Sequence, residues 1–206
     1  MARPFLTAES KAALAEAVRA VESCSSAELV VAVRPRSGSY LHADLTAAIV
    51  AALAALAVLL YSRWMFALIW FLIDPILVGA LAGLAASRSD VLRRALTWRR
   101  GRRQRVETAA RATFAERRIH GTAGRTGILL YISVLEREAV LVVDVGVEAL
   151  AATDAWRKAA GEIEAAVRSG ADGIAVAERI RGLAAILSPV LARSTADVDE
   201  LANEVC

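Results

Sequence analysis

Lysine is nearly missing from this 206-residue chain: Lys11 and Lys158 are the only two, and every other basic side chain apart from two histidines is arginine. With alanine so abundant, this reads as a compositional bias rather than a functional signature. Cysteine is as scarce. Cys24 and Cys206 lie too far apart in sequence to suggest a framework, and no Cys-x-x-Cys pair or Cys/His cluster occurs, which argues against a zinc site or a redox motif. The histidines are His42 and His120 alone. There is no phosphate-binding glycine loop, no Gly-x-Ser-x-Gly elbow and no metal-ligand triad, so nucleotide hydrolysis and elbow-type serine catalysis find no support. The opening residues Met1–Thr7 lack the apolar core of a cleavable signal peptide, which leaves targeting to an internal segment.

Charge is what the internal segment Leu45–Ala86 lacks, with only Arg63 and Asp74 inside it. Backbone groups in lipid must be satisfied within the segment, so an apolar run of this length reads as membrane-spanning helix. The pattern predicts two spans, 45–61 and 64–86, joined by a tight turn at Ser62-Arg63. Tyr61 and Trp64 flank that turn, as amphipathic rings do at the headgroup level. A central Asp74 costs about 2.5–3.5 kcal/mol on the insertion scale, while eleven Leu, Ile, Val and Phe residues in the second span contribute roughly 3–7 kcal/mol. Insertion therefore wins. Intramembrane carboxylates are functional candidates by default, but Asp74-Pro75 also reads as a helix cap followed by a first-turn proline, hence a kink.

Net charge is +3 overall, yet residues 88–105 hold eight arginines (Arg88, Arg93, Arg94, Arg99, Arg100, Arg102, Arg103 and Arg105) against Asp90 alone. A nucleic-acid-coating protein spreads its basic charge over the domain; here it is packed against a membrane end, and no nucleic-acid partner is expected. With Arg34 and Arg36 before the first span and only Arg63 in the turn, the positive-inside rule places both flanks in the cytoplasm. The expected location is the bacterial inner (plasma) membrane. The arginine run is then a surface for anionic lipid headgroups, at about 1 kcal/mol per residue.

The flanks read as one interrupted domain. Thr7–Cys24 has helical spacing at Leu14, Val18 and Val21, with Thr7 as its cap, and Glu28–Val33 reads as a strand ended by Pro35. Val106–Arg118 is helical in pattern; Gly127–Leu135 and Ala139–Val145 have hairpin spacing around charged turn residues. Thr153–Ala192 suggests two helices divided at Ser169-Gly170, with Pro189 late in the second. This order gives an α/β fold with a small, mostly buried sheet covered by helices on both faces. The organisation expected is 1–41 for the first helix and strand, 42–87 for the hairpin, 88–105 for the arginine-rich segment, 106–193 for the rest of the domain and 194–206 for a tail.

Particular stretches resemble the TPM-domain family: Ser26-Ala-Glu-Leu-Val-Val-Ala-Val33, Phe114, Ile119-His-Gly-Thr122, Arg125-Thr-Gly-Ile-Leu-Leu-Tyr-Ile-Ser133, Leu135-Glu-Arg-Glu-Ala-Val140, Asp144-Val-Gly-Val147, Trp156, and Arg168-Ser-Gly-Ala-Asp-Gly173. The resemblance covers nearly all of the chain outside the hairpin, and it implies a branch of bacterial members with an inserted transmembrane hairpin. It also implies about four strands between helices. Thylakoid members are associated with acid phosphatase activity and photosystem repair, and some members bind calcium. This chain departs from the family's acidic turn, with Asp144 in place of the first glycine and one more residue between Glu148 and Thr153-Asp154.

Two candidate sites follow. His120, Thr122, Arg125 and Thr126, in a glycine-containing loop, are side chains able to hold a phosphate or other anion; the same glycines and threonines also suit a helix stop with local turn bonds. Asp144, Glu148 and Asp154 are candidate oxygen ligands for a divalent metal such as calcium, which takes six to eight oxygens, or else an acidic loop that caps the next helix. Ser133, inside a strand, is read as a packed hydroxyl, and His42 as interfacial. The functional expectation is a membrane-anchored interaction, assembly or quality-control module with an unidentified protein partner. A phosphatase-like hydrolase is the alternative.

Overall fold

The structure, a computed structural model, describes residues 5–193; the tail expected at 194–206 lies outside the described residues. The described residues form two units, one from 5–37 and 103–193, the other from 38–102.

In the first unit, α1 (Ala8–Cys24) starts where the Thr7 hydroxyl accepts from Ser10 N at 3.0 Å, the expected cap. Three strands follow: β1 (Glu28–Arg34), β2 (Gly127–Ser133) and β3 (Glu138–Val143). Their order is β1-β2-β3, with β1 parallel to β2 in the register Val30↔Leu129 and β2 antiparallel to β3 in the register Leu130↔Leu141. β2 is buried at every residue because it has a strand on each side and helices on each face. Alternation then sorts the side chains. Leu29, Val31, Val33, Ile128, Leu130 and Ile132 join one core with α1 and the C-terminal helices, while Val30, Ala32, Leu129 and Tyr131 join another with Val106, Ala110 and Ile119. Helices on both faces are thus as expected.

The strand number is not. Among the described residues the sheet has three strands, not about four. The apolar residues after β3 are buried at helical spacing, as Val147 and Leu150 in α6 (Val145–Ala151) and Trp156, Ile163, Ala166 and Val167 in α7 (Asp154–Ser169), so no segment there has the two-residue period of a strand. The last region also divides once more than expected. Gly170, at φ +83°, ends α7; α8 (Gly173–Arg181) follows from its Asp172 cap, and α9 (Ala184–Leu187) ends before Pro189.

In the second unit, α2 (Leu41–Tyr61) and α3 (Trp70–Arg88) are both long and apolar enough to cross a membrane. They pack through a stripe of small residues. A Cβ on Gly79 would lie 2.9 Å from Ala48 O and 3.1 Å from Ala52 Cβ, and one on Gly83 would lie 3.2 Å from Ala48 Cβ, so the Gly-x-x-x-Gly spacing brings the two backbones together. The tight Ser62-Arg63 turn is corrected: the connection is 62–69, and Trp64 and Phe66 belong to it rather than to the second span. Asp74 is consequently neither a cap nor central. It lies in the second turn of α3, near one end, and Pro75 is accommodated within a continuous helix. The short α4 (Asp90–Ala95) is capped by the Ser89 hydroxyl, and α5 (Arg99–Glu116) begins inside the arginine run, seven residues earlier than the helix expected from Val106.

Candidate functional site

The arginine run does not present a uniform surface. Arg93 grips Asp44 of α2 in a bidentate pair through one guanidinium edge, with Nε 3.0 Å from Oδ1 and Nη2 2.7 Å from Oδ2. That hydrogen bond, reinforced by Asp44's charge, raises Arg93 above its ordinary pKa. Arg102 donates to the carbonyls of Arg94 and Thr97, closing the C-terminal end of α4. Arg103 binds Glu107 and Glu164, each at 3.0 Å, and the Glu164 hydrogen bond is the main cause of its raised pKa. Arg94, Arg99 and Arg105 are engaged as well. Arg88 and Arg100 are exposed, as is the adjoining Trp98. Six of the eight arginines expected to face lipid are thus engaged within the protein, and Arg88 and Arg100 are left exposed.

The loop after α5 gathers the anion candidates without freeing them. The Thr126 amide donates to the Thr122 hydroxyl at 3.0 Å, the expected local turn bond, but the Thr126 hydroxyl donates to Ser26 O at 2.8 Å, across to the residues before β1. His120, in a 3-10 turn over Ile119–Gly121, is exposed and lies against the Phe114 ring at 6.3 Å. Arg125 adopts φ +54° and places Nε 2.9 Å from Asp144 Oδ2. One residue from each proposed set is therefore an ion-pair partner of the other.

The metal set is not brought together. Asp144 is buried, caps α6 by accepting from Val145 N at 2.8 Å, and holds Arg125. Glu148 is exposed on α6, and Asp154 is fully exposed at the start of α7, paired with Arg157 at 3.1 Å. α7 is capped by the Thr153 hydroxyl, which accepts from Trp156 N at 3.3 Å. Among the described residues no group of three His, Cys, Asp or Glu is arranged to hold a metal ion.

Two buried polar networks went unread in the sequence. At the ends of β1 and β2, the Ser37 hydroxyl donates to Ser133 Oγ at 2.7 Å, Ser133 donates to Glu136 Oε2, and Glu136 Oε1 accepts from Ser37 N at 2.8 Å. Ser133 is packed as expected, but it is packed into a ring of hydrogen bonds. The second network surrounds Glu138, buried at the start of β3, with Arg168 at 3.5 Å and Arg103 at 4.0 Å, both also meeting Glu164. Its signal was present in sequence as Glu164 and Arg168 four residues apart, but only the fold supplies Glu138.

No family model matches the chain, and no curated protein matches it. Its fold is similar to the NMR structure of the BA42 protein from the psychrophilic bacterium Bizionia argentinensis sp. nov., with a TM-score of 0.59 at 16% identity, covering 100% of this chain and 97% of that one. At that identity the likeness shows the fold alone. Beside the Glu138 network, β3, α5 and α6–α7 enclose a groove of about 740 Å³, floored by Val140–Val143 and flanked by Arg111, Glu148 and Trp156.

Proposed function

We propose that this protein is an interaction and assembly, or quality-control, module of the TPM-domain type, tethered to a bacterial inner membrane with its globular unit and both termini in the cytoplasm. The observation that carries the reading is the discontinuity of the globular unit. It is built from chain on both sides of α2 and α3, so two spans return it to the side of the membrane from which it left. The side follows from charge: Arg34, Arg36, Arg88 and Arg100 lie outside the spans, against Arg63 alone in the turn. The exposed Arg88, Trp98 and Arg100 suit an anionic headgroup layer.

The test is thiol labelling of intact cells combined with crosslinking. A cysteine replacing Arg63 is expected to react with a membrane-impermeant maleimide, while the exposed native Cys24 reacts only after lysis. Crosslinking in isolated membranes is expected to give a discrete adduct dependent on residues 103–193. Labelling of Cys24 in intact cells, or no adduct across crosslinker lengths, refutes the reading. The phosphatase-like alternative retains an exposed His120 in the loop that also carries Arg125, the partner of Asp144; its test is phosphomonoester turnover by the purified chain that His120→Ala abolishes.

A further inference from the structure

The outer edge of β3 is left unused by everything above. Residues opposite each other in an antiparallel pair alternate between exchanging hydrogen bonds and not, and Asp144 N donates to Gly127 O at 2.9 Å. With Leu129 opposite Val142 and Tyr131 opposite Val140, the backbone groups of 138, 140 and 142 face β2. Those of Ala139, Leu141 and Val143 face outward. Ala139 is fully buried, but Leu141 and Val143 are half-exposed on the groove floor, and neither makes a further bond among the described residues. Natural edges are blunted by charge, proline or a bulge; Ala139–Val143 carries no charge and no proline and pairs with β2 without a break.

We propose that β3 accepts an extended segment of a partner protein as an added strand. A second copy of this chain does not fit, because its own β3 lies between the same two walls and two recessed edges cannot meet. A lone extended segment can enter. Its chemistry follows from the walls. Arg111 on α5 and Glu148 on α6 are exposed and make no ion pair with another described residue. Neighbouring residues of a strand point to opposite faces. The fitting segment therefore carries an acidic side chain toward Arg111 and, at the adjoining position, a basic one toward Glu148. Apolar residues on either side cover Val142 and Trp156. Main-chain bonds supply affinity and the two charges supply register. This inference rests on the interaction-module reading and gives the partner its form.

The experiment selects short random peptides displayed on phage against the full chain in nanodiscs of neutral lipid. The expected winners alternate apolar residues around one adjacent acid–base pair. Val143→Pro deletes the outward N–H while sparing the ladder to β2, and is expected to weaken those peptides roughly tenfold. Arg111→Glu is expected to switch selection toward a basic residue at the acidic position. No enrichment, or winners that bind Val143→Pro and Arg111→Glu like the unaltered chain, overturns the proposal. Should Val143→Pro disturb β2, seen as faster amide exchange there, Arg111→Glu and Glu148→Arg decide, since both positions are exposed. A crosslinked membrane partner that persists in all three variants refutes the edge and leaves the interaction module standing; absence of any crosslinked partner refutes the module.

Discussion

Glu136 offers the sharpest test of the buried serine network. Its two carboxylate oxygens accept from Ser133 Oγ and from Ser37 N. In Glu136→Ala the Ser133 hydroxyl can turn to Ser37 Oγ, 2.7 Å away, and the Ser37 hydroxyl to Tyr131 Oη at 3.3 Å. The Ser37 amide, in a half-buried residue, loses the acceptor that Glu136 Oε1 provides. An unsatisfied donor costs about 1–3 kcal/mol, and the space left by the lost side chain adds to it, so roughly 2–3 kcal/mol is expected. In Glu136→Gln the amide oxygen keeps the Ser37 amide, the amide NH₂ donates to Ser133 Oγ, and the hydroxyls rotate as before. The Ser37 amide and both serine hydroxyls keep partners, and the expected cost is below about 1 kcal/mol. Amide hydrogen exchange at Leu129–Ile132 in nanodiscs reads the difference as roughly 30- to 150-fold faster exchange in Glu136→Ala. Equal acceleration in both variants refutes the reasoning, because charge rather than bond direction is then what the network needs. Less than threefold in Glu136→Ala refutes the burial argument itself.

Gly79→Leu is expected to separate α2 from α3, because its Cβ would meet Ala48 O at 2.9 Å, and spin labels on the two helices should report the widening. Gly161→Ala, with open space around its Cβ, is expected to raise thermal stability, by about 0.5–1 kcal/mol, since alanine is the better helix former. Neutralising Arg88 and Arg100 together is expected to weaken association with a spin-labelled anionic lipid by about 2 kcal/mol, near thirtyfold, while Arg93→Gln instead loosens the contact with Asp44. Calcium titrated into the full chain is expected to give no binding heat, and Asp144→Ala to cost about 1 kcal/mol through the lost α6 cap.

What the sequence made legible was periodicity. The Thr7 cap, the three strands and the two apolar helices all announced themselves through local pattern, and all three strands lie within two residues of their expected bounds. The fourth strand was an import from resemblance rather than from pattern; the residues themselves never supplied a fourth alternating segment. The hairpin turn was misplaced because hydropathy cannot see where helical hydrogen bonds start: Trp64, Met65 and Phe66 are apolar, yet α3 begins only at Trp70. The candidate sites fared differently. Arg125 and Asp144 were each singled out for a ligand and are each other's partner, a pairing across nineteen positions that no local rule encodes. The β3 edge was invisible for the same reason, since strand order alone decides which strand lies outermost.

The place of the insertion has a physical logic. Parallel strands such as β1 and β2 cannot be joined by a tight turn and need a crossover connection of a dozen residues or more. In this chain α5 belongs to that crossover, supplying Val106 and Ala110 to one face of the sheet. A crossover is already long and already leaves the sheet, so lengthening it adds little closure entropy, about 0.6 kcal/mol for each doubling. An insertion between β2 and β3, by contrast, would open the tight connection of 134–137 that the Glu136 network fastens. That network also secures Ser37, the last residue before the chain departs for the hairpin, to the end of β2. The two apolar helices are thus carried by a connection whose length the sheet does not constrain, and the residue that precedes them is fixed by part-buried hydrogen bonds.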